Sequence, residues 1–131
     1  NVFATTVTKD DKSIPDEDNV NIILNYANGS TATIGYYAYG DTTMPKEYIE
    51  VFGNGVSMSM TDFRELKIYC GAKTKKTKSA NQDKGFVNEF KAFKDAVKSG
   101  ESAISFDSIY NTTKTTFKIL ESIRTGNVEK V

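Results

Sequence analysis

Histidine is absent from this 131-residue sequence, and cysteine occurs once, at Cys70. Without imidazole the commonest general base at neutral pH is missing, so proton transfer would have to rest on carboxylates, lysines or tyrosines. A zinc site wants several Cys or His ligands, which this composition does not offer. Cys70 has no histidine to lower its pKa and reads as a small packing residue. The chemistry that remains is recognition. Tyr36-Tyr37-Ala38-Tyr39-Gly40-Asp41 runs into the polar Thr42-Thr43, and tyrosines at a strand end offer stacking faces and hydroxyls that suit a sugar or polyol. Aromatics also favour strands and fill sheets, and that plainer reading carries more weight on sequence alone.

Three further stretches have a chemical reading beside a plain one. Asp16-Glu17-Asp18 lacks the spaced ligands and glycine turn of a calcium loop and reads as part of a solvated loop. Lys73, Lys75, Lys76 and Lys78 could bind phosphate, but lysine on an edge strand is a common guard against edge-to-edge aggregation, and the spacing favours that role. Gly53-Asn54-Gly55 has the spacing of the first two glycines of a dinucleotide fingerprint, yet the third is missing and a strand should follow, so it is a turn. No phosphate loop, nucleophile elbow or paired-metal pattern is present.

The elements that would position these residues follow from periodicity. A strand is expected at Val2 to Thr8, then an aperiodic loop from Lys9 to Asn19. Val20, Ile22, Leu24 and Tyr26 alternate up to Asn28-Gly29, and Ala32, Ile34, Tyr36 and Ala38 alternate on the return, giving strands at about 19 to 27 and 30 to 39. Tyr48 to Phe52 alternates up to Asn54-Gly55, and a two-residue turn there pairs Val51 with Met58 and Ile49 with Met60, with Glu50 opposite Ser59 on the other face. These strands are expected at about 46 to 53 and 56 to 61. Leu66 to Cys70 and Lys73 to Lys78 form another hairpin, turning at Gly71-Ala72.

From Asn81 the period lengthens. Phe86, Phe90, Phe93 and Val97 share a stripe on a helix at about 84 to 99, stopped by Gly100. Ser105 caps a second helix, whose expected stripe is Ile109, Thr113, Thr116, Leu120 and Ile123 and whose end is Gly126. Strands first and helices last predict a single α+β domain: an open, mostly antiparallel sheet of six to seven strands with two helices on one face. Tyr37, Tyr39, Ile23 and Phe52 would then crowd the uncovered face, which is expected to be an interface, most economically of a homo-oligomer.

Seventeen basic and seventeen acidic residues cancel. That balance weighs against nucleic-acid binding, including through Lys73 to Lys78, because phosphate neutralisation usually needs a basic excess. No apolar run reaches the roughly 20 residues of a membrane span and no signal peptide opens the chain, so a cytoplasmic protein is expected. A strand beginning immediately after Asn1 suggests a piece of a longer protein.

Several segments, in order, resemble the carboxy-terminal domain of the Gfo/Idh/MocA oxidoreductases. They are Val2-Phe3-Ala4, Glu17 to Val20 leading to Tyr26 to Ser30, Pro45 to Gly53, Asp62 to Leu66, Gln82 to Gly85, and Glu121 to Gly126. The likeness covers nearly the whole chain. The resemblance implies an amino-terminal Rossmann partner domain that binds NAD or NADP and carries the catalytic groups, so no catalytic or cofactor-binding residue falls in these 131 residues. It implies that this domain contributes an oligomer interface and part of the wall around a sugar, sugar-nucleotide or polyol substrate. The relevant loop is Tyr39 to Glu47, with Tyr39, Asp41, Lys46 and Glu47 as candidate substrate contacts; each of these could equally be a surface group at the start of a strand. One departure is Phe86, which stands where many relatives place a histidine. The rival expectation is a free-standing, non-catalytic β-rich binding or scaffold module.

Overall fold

The structure is a computed structural model that describes residues 1–7 and 15–131. Thr8, expected to end the first strand, and residues 9–14 of the loop after it lie outside the described residues. Seven strands and two helices are present: β1 (Val2–Thr6), β2 (Asn19–Asn25), β3 (Thr31–Tyr37), β4 (Tyr48–Gly53), β5 (Val56–Thr61), β6 (Glu65–Cys70), β7 (Lys73–Lys78), α1 (Phe86–Ser99) and α2 (Phe106–Thr125). A 3-10 turn, Asp16–Asp18, leads into β2. This is an α+β fold with open antiparallel sheets.

The strands do not form one continuous sheet. They stand as a three-stranded sheet in the order β1-β2-β3 and a four-stranded sheet in the order β4-β5-β6-β7. The ten residues from Ala38 to Glu47 separate β3 from β4, and they are taken up by turns and bends. The chain divides accordingly into two compact units, Asn1–Gly40 with Ser102–Val131, and Asp41–Glu101.

In the first unit, β2 pairs with β1 and β3, placing Val20 opposite Tyr36, Ile22 opposite Ile34 and Leu24 opposite Ala32. The expected two-residue turn at Asn28-Gly29 is instead a three-residue loop closed by the Tyr26 N–H donating to the Ser30 carbonyl at 2.9 Å. Gly29 alone carries the positive φ, 84°. Asn28 Oδ1 accepts from the Ser30 N–H at 3.0 Å, a side-chain closure typical of Asx turns. Val2, Ala4, Val20 and Ile22 form the core, with Leu24, Ile119, Ile123 and Val131 packed against it.

α2 lies on β1, capped by Ser105 Oγ accepting from the Ser108 N–H at 3.3 Å. Its buried side differs from the expected stripe: Ile109 and Leu120 are exposed, and the helix packs through Ile119, Ser122 and Ile123. The reason is a polar demand that hydrophobic periodicity does not register. Fully buried Ser122 accepts from the Ala4 N–H at 3.0 Å and donates to the Asn127 carbonyl at 2.6 Å. Beside it, Val2 and Glu129 exchange backbone hydrogen bonds of 2.9 and 2.8 Å, so the outer edge of β1 is closed by the end of α2 and the segment after it.

In the second unit the register of β4 and β5 is the expected one, Val51 with Met58, Ile49 with Met60 and Glu50 with Ser59. Asn54 and Gly55 turn with φ of 50° and 74°. Gly71 and Ala72 also both have positive φ, 54° and 57°. The β6–β7 turn therefore asks a left-handed conformation of an alanine, where only glycine, asparagine or aspartate is comfortable. α1 is bounded by Gly85 and Gly100, each in the left-handed conformation, and its stripe of Phe86, Phe90, Phe93 and Val97 is exposed. Of the two helices, then, α2 is the one that covers sheet.

Ser122→Ala strips a buried N–H and a carbonyl of their partner and is expected to cost about 1–3 kcal/mol of unfolding free energy in urea. A loss no larger than that of Ser→Ala at an exposed site such as Ser102 would show that the β1 edge does not depend on this hydroxyl.

Candidate functional site

The loop between β3 and β4 distributes the four candidate residues over the two units. Tyr39 belongs to the first, where its backbone N–H donates to Asn19 Oδ1 at 3.0 Å. Nearby in the same unit, the Tyr37 hydroxyl donates to Asn21 Oδ1 and its ring lies over Gly35, where a Cβ would come within 2.8 Å of it. This part of the aromatic cluster is thus engaged in holding the sheet. The unit also has an open cleft of about 400 Å³ between α2 and the sheet, lined by Leu24, Tyr26, Ile34, Asn111, Thr115 and Ile119 among others; Tyr39 does not line it.

Asp41, Lys46 and Glu47 belong to the second unit. Asp41 Oδ1 accepts from the Thr43 hydroxyl at 2.6 Å and from the Thr43 N–H at 2.8 Å, and these bonds hold its carboxyl below the usual aspartate range. It closes a turn. Lys46 is exposed and acts on Glu47 only through its charge. Of the three, Glu47 is the one built into a cluster.

That cluster is a corner assembled from three separated segments. Glu47 precedes β4, Asp62-Phe63-Arg64 joins β5 to β6, and Gln82-Asp83-Lys84 leads into α1. Glu47 Oε1 accepts from Lys84 Nζ at 2.6 Å, and Lys84 Nζ stands 5.8 Å from the centre of the Phe63 ring. The Asp62 N–H donates to the Glu47 carbonyl at 2.7 Å. Gln82 Nε2 donates to Asp62 Oδ1 at 2.8 Å and to the Asp62 carbonyl at 3.2 Å. Arg64 Nε lies 3.5 Å from Asp62 Oδ2.

The turn so clamped is strained. Asp62 and Phe63 both have φ of 52°, a left-handed conformation that costs roughly 1–2 kcal/mol per residue for a side chain such as phenylalanine. The contacts from Glu47 and Gln82 hold it there, together with the Phe63 N–H donating to Met60 Sδ at 3.0 Å.

The hydrogen bond from Lys84 is the main reason that the Glu47 carboxyl sits below its ordinary range, with partial burial opposing it. Glu47 therefore stays ionised at neutral pH and is a weak base, suited to accepting hydrogen bonds more than to abstracting protons. Its second oxygen, Oε2, is shielded from solvent and has no hydrogen-bond partner among the described residues. In such a pair the ionised carboxylate can accept from one hydroxyl of a polyol while the ammonium donates to the next. Among the described residues no group of three or more His, Cys, Asp or Glu side chains could hold a metal ion.

Sequence reasoning placed Glu47 in the candidate site and missed Lys84, Asp62 and Gln82 as its partners. The segments containing them are among those that carry the resemblance, but their convergence depends on the β5–β6 turn and residues 79–85 folding back, which no local pattern encodes. No family model, curated protein or solved structure matches this chain.

A carboxyl titration by NMR tests the pair. The Glu47 midpoint is expected below the ordinary glutamate value of about 4.3 and should return toward it in Lys84→Met. Because the folded pKa is the lowered one, the pair's contribution to stability is present above the ordinary range and is lost as pH falls through the lowered value. An unchanged midpoint in Lys84→Met would refute the assignment.

Proposed function

We propose that this chain is the carboxy-terminal substrate-binding and oligomerisation domain of an NAD(P)-dependent oxidoreductase of the Gfo/Idh/MocA kind, acting on a sugar, sugar nucleotide or polyol. The observation that carries the reading is the Glu47–Lys84 corner: three of the segments in which the resemblance lies, Pro45 to Gly53, Asp62 to Leu66 and Gln82 to Gly85, meet there around one ion pair. In this reading Glu47 and Lys84 contact substrate hydroxyls, while Asp41 keeps the loop before β4 in shape and Lys46 adds positive charge at its edge. Tyr39 belongs to the other unit and is read by itself, as a candidate contact of that unit.

The cofactor belongs to the amino-terminal Rossmann domain of the parent protein. Gly53-Asn54-Gly55 does not fit a dinucleotide, since Gly53 ends β4 and Asn54-Gly55 is the hairpin turn into β5. In this reading the redox step belongs to that Rossmann domain, and this chain supplies binding.

Open apolar surface supports the oligomerisation half of the reading. Ile23 and Phe52 fall on separate sheets and do not share the face expected of them; the exposed apolar residues that carry the reading are instead Ile49 and Val51 on β4 and, separately, the α1 stripe. No helix among the described residues is long and apolar enough to cross a membrane.

The coding sequence upstream of Asn1 is the direct test. A Rossmann glycine fingerprint and a Glu-Lys-Pro motif are expected there, and a start codon immediately before Asn1 would favour a free-standing module. Light scattering over a dilution series should find a dimer or larger assembly; a monomer at every concentration removes oligomerisation from the proposal.

A further inference from the structure

The second sheet has another surface, opposite that of Ile49, Val51, Met58 and Met60. The register places Tyr48, Thr61, Glu65 and Lys78 in one row across it, Glu50, Ser59, Lys67 and Lys76 in the next, and Phe52, Ser57, Tyr69 and Thr74 in the third. We propose that this face binds a mononucleotide, with its phosphate on Lys67, Lys76 and Lys78 and its base against Tyr69. The inference stands apart from the substrate-wall reading.

Charge is the first argument. Lys67, Lys76 and Lys78 reach the single carboxylate of Glu65 at 3.0, 3.1 and 3.1 Å. Three ammonium groups against one carboxylate leave an excess of two positive charges, and a phosphomonoester carries about −1.5 to −2 at neutral pH. Lys67 and Lys76 stand directly opposite each other on neighbouring strands, and the Glu65 carboxylate that bridges them offsets only part of their combined charge. Each ammonium has three donors, so bonding to Glu65 leaves donors free. The three lysines hold Glu65 down at about 2, and it stays ionised as their anchor throughout the physiological range. Glu50 also lies on this face, two strands or roughly 10 Å from β6; the bond from the Tyr48 hydroxyl to its Oε1 at 2.7 Å leaves its charge in place, so the surplus is two at the lysine cluster and one over the whole face.

Edge protection does not account for this cluster. β7 is an edge strand, and its lysines on both faces would serve that purpose, but Lys67 lies on β6, which is paired on both sides. The surroundings also fit a nucleoside. Ser57, Ser59 and Thr61 on β5 are half-buried small residues in register between Tyr48, Glu50 and Phe52 on β4 and Glu65, Lys67 and Tyr69 on β6. Tyr48, Phe52 and Tyr69 are 60%, 71% and 42% exposed, so their rings are available for stacking. Lys67 and Tyr69 are two residues apart on one strand, about 7 Å, room for a ribose between phosphate and base.

Titration of the 131-residue protein with adenosine 5′-monophosphate, followed by amide shifts in β6 and β7, tests the proposal. Saturable binding that weakens with salt is expected, with about a tenfold loss in Lys67→Gln or Lys76→Gln and in adenosine, which lacks the phosphate. Lys75→Gln, on the opposite face, should bind normally. Equal losses in Lys75→Gln and Lys67→Gln would reveal diffuse attraction and overturn the site. Inorganic phosphate binding as tightly as the nucleotide would overturn the role of Tyr69, and binding of a single-stranded oligonucleotide without the mononucleotide would overturn the assignment of the ligand. Circular dichroism of the variants guards against misfolding.

Discussion

The three-stranded unit depends on how the outer edge of β1 is satisfied. A five-residue strand with one free side presents N–H and carbonyl groups that must find partners or remain in water, and β1 carries the most deeply buried apolar residues of the unit, Val2 and Ala4. Ser122 takes the Ala4 N–H, Glu129 takes Val2, and the same Ser122 hydroxyl closes the chain after α2 by donating to Asn127. One hydroxyl therefore joins strand, helix and the segment beyond it. The rotation of α2 about its axis follows from this contact: the helix presents Ser122, and Ile119 and Ile123 come with it into the core.

The four-stranded unit rests on a different principle. Its ladders are consecutive hairpins, each closed by a short turn, so the pairing is local and needs no distant element to define it. Two of its turns make left-handed demands on residues other than glycine and asparagine. At Ala72 the strain is confined to a hairpin tip. At Asp62 and Phe63 it is held by the hydrogen bond of the Asp62 N–H to the Glu47 carbonyl and by those from Gln82, so the strained turn and the Glu47–Lys84 corner are one construction.

Electrostatics separates the two charged clusters of this unit. At the corner one carboxylate meets one ammonium, and the pair is balanced, directional and partly shielded, which suits neutral hydroxyl-rich ligands. On the sheet face one carboxylate meets three ammonium groups, and the surplus of positive charge suits an anion. The near-zero net charge of the whole chain conceals this contrast, since acidic and basic residues are sorted in space although they cancel in sum.

The sequence by itself determined the features that are local. Alternation and Asn54-Gly55 placed the β4–β5 register to the residue, Gly71-Ala72 located the turn before β7, and Ser105, Gly100 and Gly126 marked helix ends, because each signal acts through neighbours within a few positions. Glu47 was legible as a candidate because it lies in the loop singled out by resemblance. Tertiary structure alone decided the division into two sheets, since an interrupted ladder and a continuous one share the same alternation. It alone decided that Ser122 faces the core, because a small polar residue within a helical stripe is apolar or polar according to whether a strand edge needs its hydroxyl. It alone joined Glu47 to Lys84 across 37 residues, for an ion pair between distant segments leaves no periodic trace in the chain.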